Sequence, residues 1–258
     1  MIIKTIADQG QRPYMEDRFK ISSKDGVALV VVADGHGGHS VAEHLISTEA
    51  QIEMTSSKLL EALSTPEYSR RIYEMYTEMD RKICDSAISP TVGSTLLTVF
   101  ITPREIIAGN CGDTMAMVGK LGGSSVARWL SREHKASSEI PAIEARGGQV
   151  YAPDGFMMRV NGMLNMSRSM GDAYLKKYIT ASPYVAKCRK QDYDYVFCAT
   201  DGVWDVMTLE DVHRVISFSK CPDTALRALL DISRQRHSGD NIAMVLILFS
   251  TEKKKILL

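Results

Sequence analysis

The chain has 258 residues, 45% hydrophobic and 24% charged, with 31 basic and 31 acidic side chains that leave a formal net charge of zero. Such a composition can bury a sizeable core, and its neutral balance carries no electrostatic footprint for nucleic acid or an anionic membrane surface. No stretch is long and apolar enough to span a bilayer, the first ten residues lack the apolar core of a signal peptide, and the five cysteines form no C-x-x-C pair. The expectation is a cytoplasmic or nuclear protein with reduced thiols. With no repeat and no Ser/Gly/Pro-rich linker, it is expected to form one domain over residues 1–258.

Residues 2–7, 18–22 and 27–33 read as strands. The third is an unbroken apolar run entered through the turn Lys24-Asp25-Gly26, as expected of a strand buried on both faces. Pro13 argues against a helix in the loop between the first two strands, which gathers Arg12, Glu16 and Asp17. Apolar residues at helical spacing predict helices over residues 40–63 and, beyond Pro66, over 68–84. From Gly93 the period shortens to that of strands, over 94–101, 105–111, 114–120 and 124–130, with Gly122-Gly123 as a hairpin signal. A short helix over 137–146 is expected despite Pro141, and Asn161-Gly162 is the strongest hairpin signal in the chain. Strands near 184–189 and 194–200, helices from residue 209 and over 222–236, and a strand over 241–249 follow. The lysine run 253–255 reads as a solvated tail. Strand-rich blocks between helical blocks predict an α+β protein with packed antiparallel sheets and flanking helices.

Acidic residues recur where these strands begin or end. Asp34 closes the third strand in DGHGG, Asp113 follows a strand in NCGD, and Asp201 follows another and opens DGVWD. Asp240 precedes the last strand, and Glu16-Asp17 precede the second. Carboxylates brought together repel one another unless a cation compensates them. An oxygen-only donor set selects a hard cation, Mg²⁺ or Mn²⁺. Zinc through His36 and His39 is the alternative, but the pair lacks the H-E-x-x-H pattern. Two hard cations bridged by one carboxylate, about 3.5–4 Å apart, are the preferred expectation.

The ordered set RPYMED (12–17), DGHGG (34–38), GST (93–95), NCGD (110–113), EHK (133–135), RGG (146–148), SRSMGD (167–172), DGVWDVM (201–207) and DN (240–241) resembles the metal-dependent protein serine/threonine phosphatases of the protein phosphatase 2C type, the PPM family. Each fragment is weak alone; the series in this order, over nearly the whole chain, is very specific. The resemblance implies a four-layer α/β/β/α sandwich of two antiparallel sheets, with the metals at one end. It implies Asp34 bridging two cations with the Gly35 carbonyl on one of them, and Asp201 and Asp240 as ligands of the other. Glu16 and Asp17 would act on or through metal-bound water, and Asp113 and Asp205 match positions that hold a third, weaker metal in some relatives. Arg12 would grip the substrate phosphate with its rigid fork of donors. The implied reaction is attack on phosphorus by a water or hydroxide shared between two cations, without a phosphoenzyme, His36 protonating the departing seryl or threonyl oxygen. Its substrates would be phosphoproteins and the protein a monomer. Met115, Leu96, Glu133 and Met170 depart from the family's commoner residues without touching these positions, and the variable flap region, about 136–165, gives no readable specificity.

Two rivals compete. Cys221 and Arg227 have the C-x5-R spacing of cysteine phosphatases, but Pro222 and Asp223 read as the first turn of a helix, not as a glycine-rich phosphate cradle. A pseudophosphatase scaffold would be expected to have lost Asp34, Asp201, Asp240 or Arg12; all four are present.

Overall fold

The computed structural model describes residues 1–122 and 126–249. The lysines 253–255 and the first residues of the strand expected over 124–130 lie outside them. Strand β1 (Ile2–Asp8) is followed by the hairpin of β2 (Arg18–Lys24) and β3 (Val27–Ala33), and every residue of β3 is buried. Asp34 breaks the run, and a two-residue strand, β4 (Gly35–His36), follows it.

The helix expected over residues 40–63 is three short ones, α1 (Ser40–Leu45), α2 (Thr48–Met54) and α3 (Ser57–Ala62). A serine stands at each break, Ser47 before α2 and Ser56 before α3, and at the first its hydroxyl offers the backbone an alternative partner. Ser47 adopts an extended conformation, and its side chain accepts from the Ala50 N–H to cap α2. The next helix, α4 (Tyr68–Cys84), stays whole and buries Ile72, Met75, Tyr76, Met79 and Ile83 as the spacing implies.

The strand expected over 94–101 is also divided, into β5 (Gly93–Ser94) and β6 (Leu96–Ile101). Thr95 between them turns to the end of β3: its N–H donates to Asp34 O at 2.9 Å and its hydroxyl accepts from Asp34 N at 2.9 Å. Strands β7 (Glu105–Cys111), β8 (Met115–Lys120) and β9 (Val126–Trp129) follow, the last two forming a hairpin. Helix α5 (Ile140–Ala145) accommodates Pro141 in its first turn, where no N–H is needed. Asn161 and Gly162 do turn the chain, both at positive φ, but they close an isolated bridge between Val160 and Leu164. The paired strands there are β10 (Val150–Tyr151) and β11 (Arg159–Val160). The chain ends with β12 (Met170–Gly171), β13 (Tyr184–Arg189), β14 (Tyr195–Ala199), a helical turn α6 (Asp201–Trp204), α7 (Leu209–Phe218), α8 (Pro222–Gln235) and β15 (Ile242–Leu248). Thr208 and Asp211 cap the start of α7 reciprocally.

Two five-stranded antiparallel sheets result, ordered β1-β15-β14-β8-β9 and β13-β7-β6-β3-β2. Their facing surfaces bury Val30, Val32, Val99, Val118, Val196 and Val245. The outer face of one sheet packs Leu29, Val31 and Phe100 against Leu45, Met54, Ile72 and Tyr76 of α1 to α4. The outer face of the other packs Met117, Phe197 and Met244 against Val212, Leu226 and Leu229 of α7 and α8. This is the α/β/β/α arrangement expected. A fourth, small core of Ile143, Val160, Leu164, Leu175 and Ile179 holds the flap.

Candidate active site

Antiparallel register brings the acidic strand ends to one edge of the sandwich. Arg18 lies opposite Ala33, Leu96 opposite Cys111, Met115 opposite Ala199 and Asp8 opposite Ile242. The residues just beyond these pairs, Asp17, Asp34, Asp113, Asp201 and Asp240, therefore leave their strands at the same end. Carboxylate oxygens of Asp34, Asp113 and Asp201 all lie within 4.8 Å of one another. They face a cleft of about 280 Å³, also lined by Arg12, Glu16, Gly35, His36, Asp205 and Asp240.

The group is electrostatically uncomfortable by itself. Burial pushes the Asp34 carboxyl well above its ordinary range, and repulsion from Asp17, Asp201 and Asp113 adds to it. Asp113 is raised by burial and then by Asp201, and its Oδ2 is enclosed without a hydrogen-bond partner. Asp201 is pushed up to about 6 by burial, then by Asp205 and Asp240. Asp17 is pushed up to about 7 by burial, although the Thr200 hydroxyl donates to its Oδ2 at 2.8 Å. Crowded oxygens, one of them orphaned, are what a hard cation relieves. The site therefore fits a divalent cation.

Side-chain cations flank the group. Arg12 Nη2 lies 2.6 Å from Asp240 Oδ2, and Lys135 Nζ lies 2.8 Å from Asp205 Oδ1 and 3.1 Å from Glu133 Oε1. Asn241 ties the loop of Arg12 and Glu16 to β15. Its Oδ1 accepts from Glu16 N at 2.7 Å, and its Nδ2 donates to Gln9 O and Tyr14 O. Glu16 faces the cleft, whereas Asp17 stands behind Asp34 and is 4% exposed.

The zinc alternative does not assemble. His36 Nε2 lies 2.7 Å from Asp172 Oδ2, and His39 is exposed at 3.6 Å from Glu43. Cys221 is exposed ahead of α8, with Pro222 at the first helical position, so no phosphate cradle surrounds it. Reading the residue types missed Lys135, Asp172, and the flap residues Met157, Arg159 and Asn165 that line the cleft. The EHK and SRSMGD motifs contained the first two, but only the fold shows what they touch. A larger hollow of about 590 Å³ at the opposite end, near Thr102, Arg104 and Arg189, contains none of the clustered aspartates.

Comparison with known proteins agrees with this geometry. The family described as "Protein phosphatase 2C" matches residues 5–242. "Probable protein phosphatase 2C 56" of Oryza sativa subsp. japonica is 32% identical over 251 residues, covering 93% of this chain and 68% of the relative. "Probable protein phosphatase 2C 71" of Arabidopsis thaliana is 32% identical over 253 residues, covering 95% and 54%. The chain spans 50–68% of the length of the first curated relatives it matches. Two solved structures, each 22% identical, share the fold: a serine-threonine phosphatase 2C from Toxoplasma gondii (TM-score 0.79, covering 96% of this chain and 94% of that one) and a C. elegans sex determining protein (TM-score 0.84, covering 99% and 67%).

Proposed function

The chain belongs to the protein phosphatase 2C family of metal-dependent protein phosphatases, and from that premise we propose that it hydrolyses phosphoserine and phosphothreonine in proteins, with two Mg²⁺ or Mn²⁺ ions and no phosphoenzyme. The observation that carries this reading is the convergence of Asp34, Asp113 and Asp201 at the end of the sandwich. In this reading Asp34, the Gly35 carbonyl, Asp201 and Asp240 would hold the two cations. Asp113 and Asp205 would hold a weaker third. Bound cations would acidify the attacking water and offset the repulsion among the carboxylates. Glu16, on the cleft wall, and Asp17, buried beside Thr200, would act on or through metal-bound water.

Arg12 is the phosphate ligand. Its guanidinium already reaches into the cleft, held on Asp240, and a forked donor suits the paired oxygens of a phosphate. His36 gives the proton to the departing oxygen; it lines the same cleft. The proposed setting is cytoplasmic or nuclear, where the five cysteines would stay reduced; among the described residues no helix is long and apolar enough to cross a membrane.

The test is phosphate release from a phosphothreonine peptide by chelated protein, with and without added Mn²⁺. Release only with the cation is expected. Peptide binding without release under any divalent cation would establish the scaffold reading instead.

A further inference from the structure

We propose that Asp172 is the positioning residue for His36, fixing its ring orientation and tautomer; the proposal rests on His36 as the proton donor. Asp172 is 1% exposed, and among the described residues His36 is the only ionisable side chain bonded to it. Its Oδ2 lies 2.7 Å from His36 Nε2 and accepts from the Ser169 hydroxyl at 2.6 Å. A buried carboxylate without Arg or Lys is costly. Asp172 also sits in the left-handed region, at φ 50° and ψ 44°, which few non-glycine residues adopt.

The surrounding backbone is arranged for this one contact. Strands β4, β5 and β12 form a separate three-stranded sheet in which Gly93 pairs with both His36 and Gly171. The Asp172 N–H donates to Val92 O at 3.0 Å. A Cβ on Gly93 would lie 2.0 Å from Asp172 Oδ2 and 2.4 Å from His36 Nε2. No other residue leaves room for the pair.

A carboxylate only accepts hydrogen bonds, so the ring must carry a proton on Nε2. The other nitrogen, Nδ1, is enclosed and has no partner among the described residues. The ring as a whole is 24% exposed where it lines the cleft, so a small tilt about the Asp172 contact would bring this unpartnered nitrogen to a seryl oxygen. As the P–O bond to the seryl oxygen breaks, its electron pair stays on that oxygen, which takes the Nδ1 proton. The ring is left neutral with Nε2–H still on Asp172, and solvent returns the proton.

Asp172→Asn tests this, because asparagine also tolerates left-handed backbone while its amide can donate to Nε2 and favour the opposite tautomer. Loss of an orienting carboxylate through the wrong tautomer costs about 10⁴-fold in serine proteases. Here kcat on a phosphoserine peptide should fall about 10²–10⁴-fold, the range of general acid catalysis. The loss on p-nitrophenyl phosphate, whose leaving group needs no proton, should be much smaller. In a His36→Ala background the Asn change should cost nothing further in kcat. The ¹⁵N signals of His36 in the wild-type protein, at a pH where the ring is neutral, should show the Nε2–H tautomer. An Nδ1–H tautomer, or equal losses on both substrates from Asp172→Asn, overturns the proposal. If His36→Ala itself loses both substrates equally, the acid role in the proposed function fails. The nitrogen signals then decide separately whether Asp172 holds the ring.

Discussion

Arg12 and Asp240 are bound to each other across 228 positions of sequence, guanidinium to carboxylate at 2.6 Å. One is the proposed phosphate ligand and the other a proposed metal ligand, so cation binding and the ion pair compete for the same carboxylate. The pair is half-exposed, and such pairs contribute about 0–1 kcal/mol. Arg12→Ala should therefore tighten Mn²⁺ binding by no more than about fivefold, as 1 kcal/mol allows, while raising KM for a phosphopeptide. Calorimetric titration with Mn²⁺ and steady-state kinetics check the two halves. Much weaker Mn²⁺ binding in the variant would contradict the competition.

Asp34 and Asp201 repel their neighbours when no cation is present. Asp34→Asn and Asp201→Asn should each abolish cation-dependent phosphate release. In chelator at pH 8 the same variants should melt above the wild type, because one repulsive charge has gone. Added Mn²⁺ should raise their melting temperature less than it raises that of the wild type. A variant that melts lower in chelator would show that the carboxylate is structural.

The metal-free protein should lose stability as pH rises. Asp17 and Asp201 hold their protons to about 7 and about 6 in the folded chain, against an ordinary value of 3.8. Between about pH 4 and 7 the folded state therefore binds more protons than the unfolded one, and stability falls with pH across that window. Melting of chelated protein should drop from about pH 4 toward pH 8. Saturating Mg²⁺ should remove most of the drop. A rise in melting temperature over that window in chelator would reverse the assignment.

Cys221 should be dispensable. Its thiol lies 2.9 Å from the Thr224 hydroxyl at an exposed helix start, away from the aspartate cluster. Cys221→Ser should keep kcat within about twofold, as for a surface change, and quenched reactions should contain no phosphocysteine. A folded but inactive variant would revive the cysteine mechanism.

What could be read from residues alone was what depends on local pattern. The unbroken apolar run at 27–33 announces a fully buried strand, and Asp34 at its end announces a site. Pairings between distant residues could not be read. Nothing near residue 95 shows that its threonine leaves the strand for Asp34, and nothing near residue 36 shows that its histidine meets Asp172. Ser47 and Ser56 carried a visible warning against one long helix, but apolar spacing persisted across both. The DGVWD segment gave its aspartate as a candidate ligand without showing the helical turn that positions it.

Strand β15 is inserted between β1 and β14, so a strand more than 230 residues after β1 fills the place beside it in the sheet. A nascent chain can pair β2 with β3 and β6 with β7 early, but β1 waits for a partner until residues 242–248 have left the ribosome. Asp240 and Asn241, which lie just before that strand, arrive with it. Ribosome-arrested chains ending before residue 240 should therefore show the first sheet protected from proteolysis, β1 still cleavable and no phosphatase activity. Until then an unpaired edge is open to other chains.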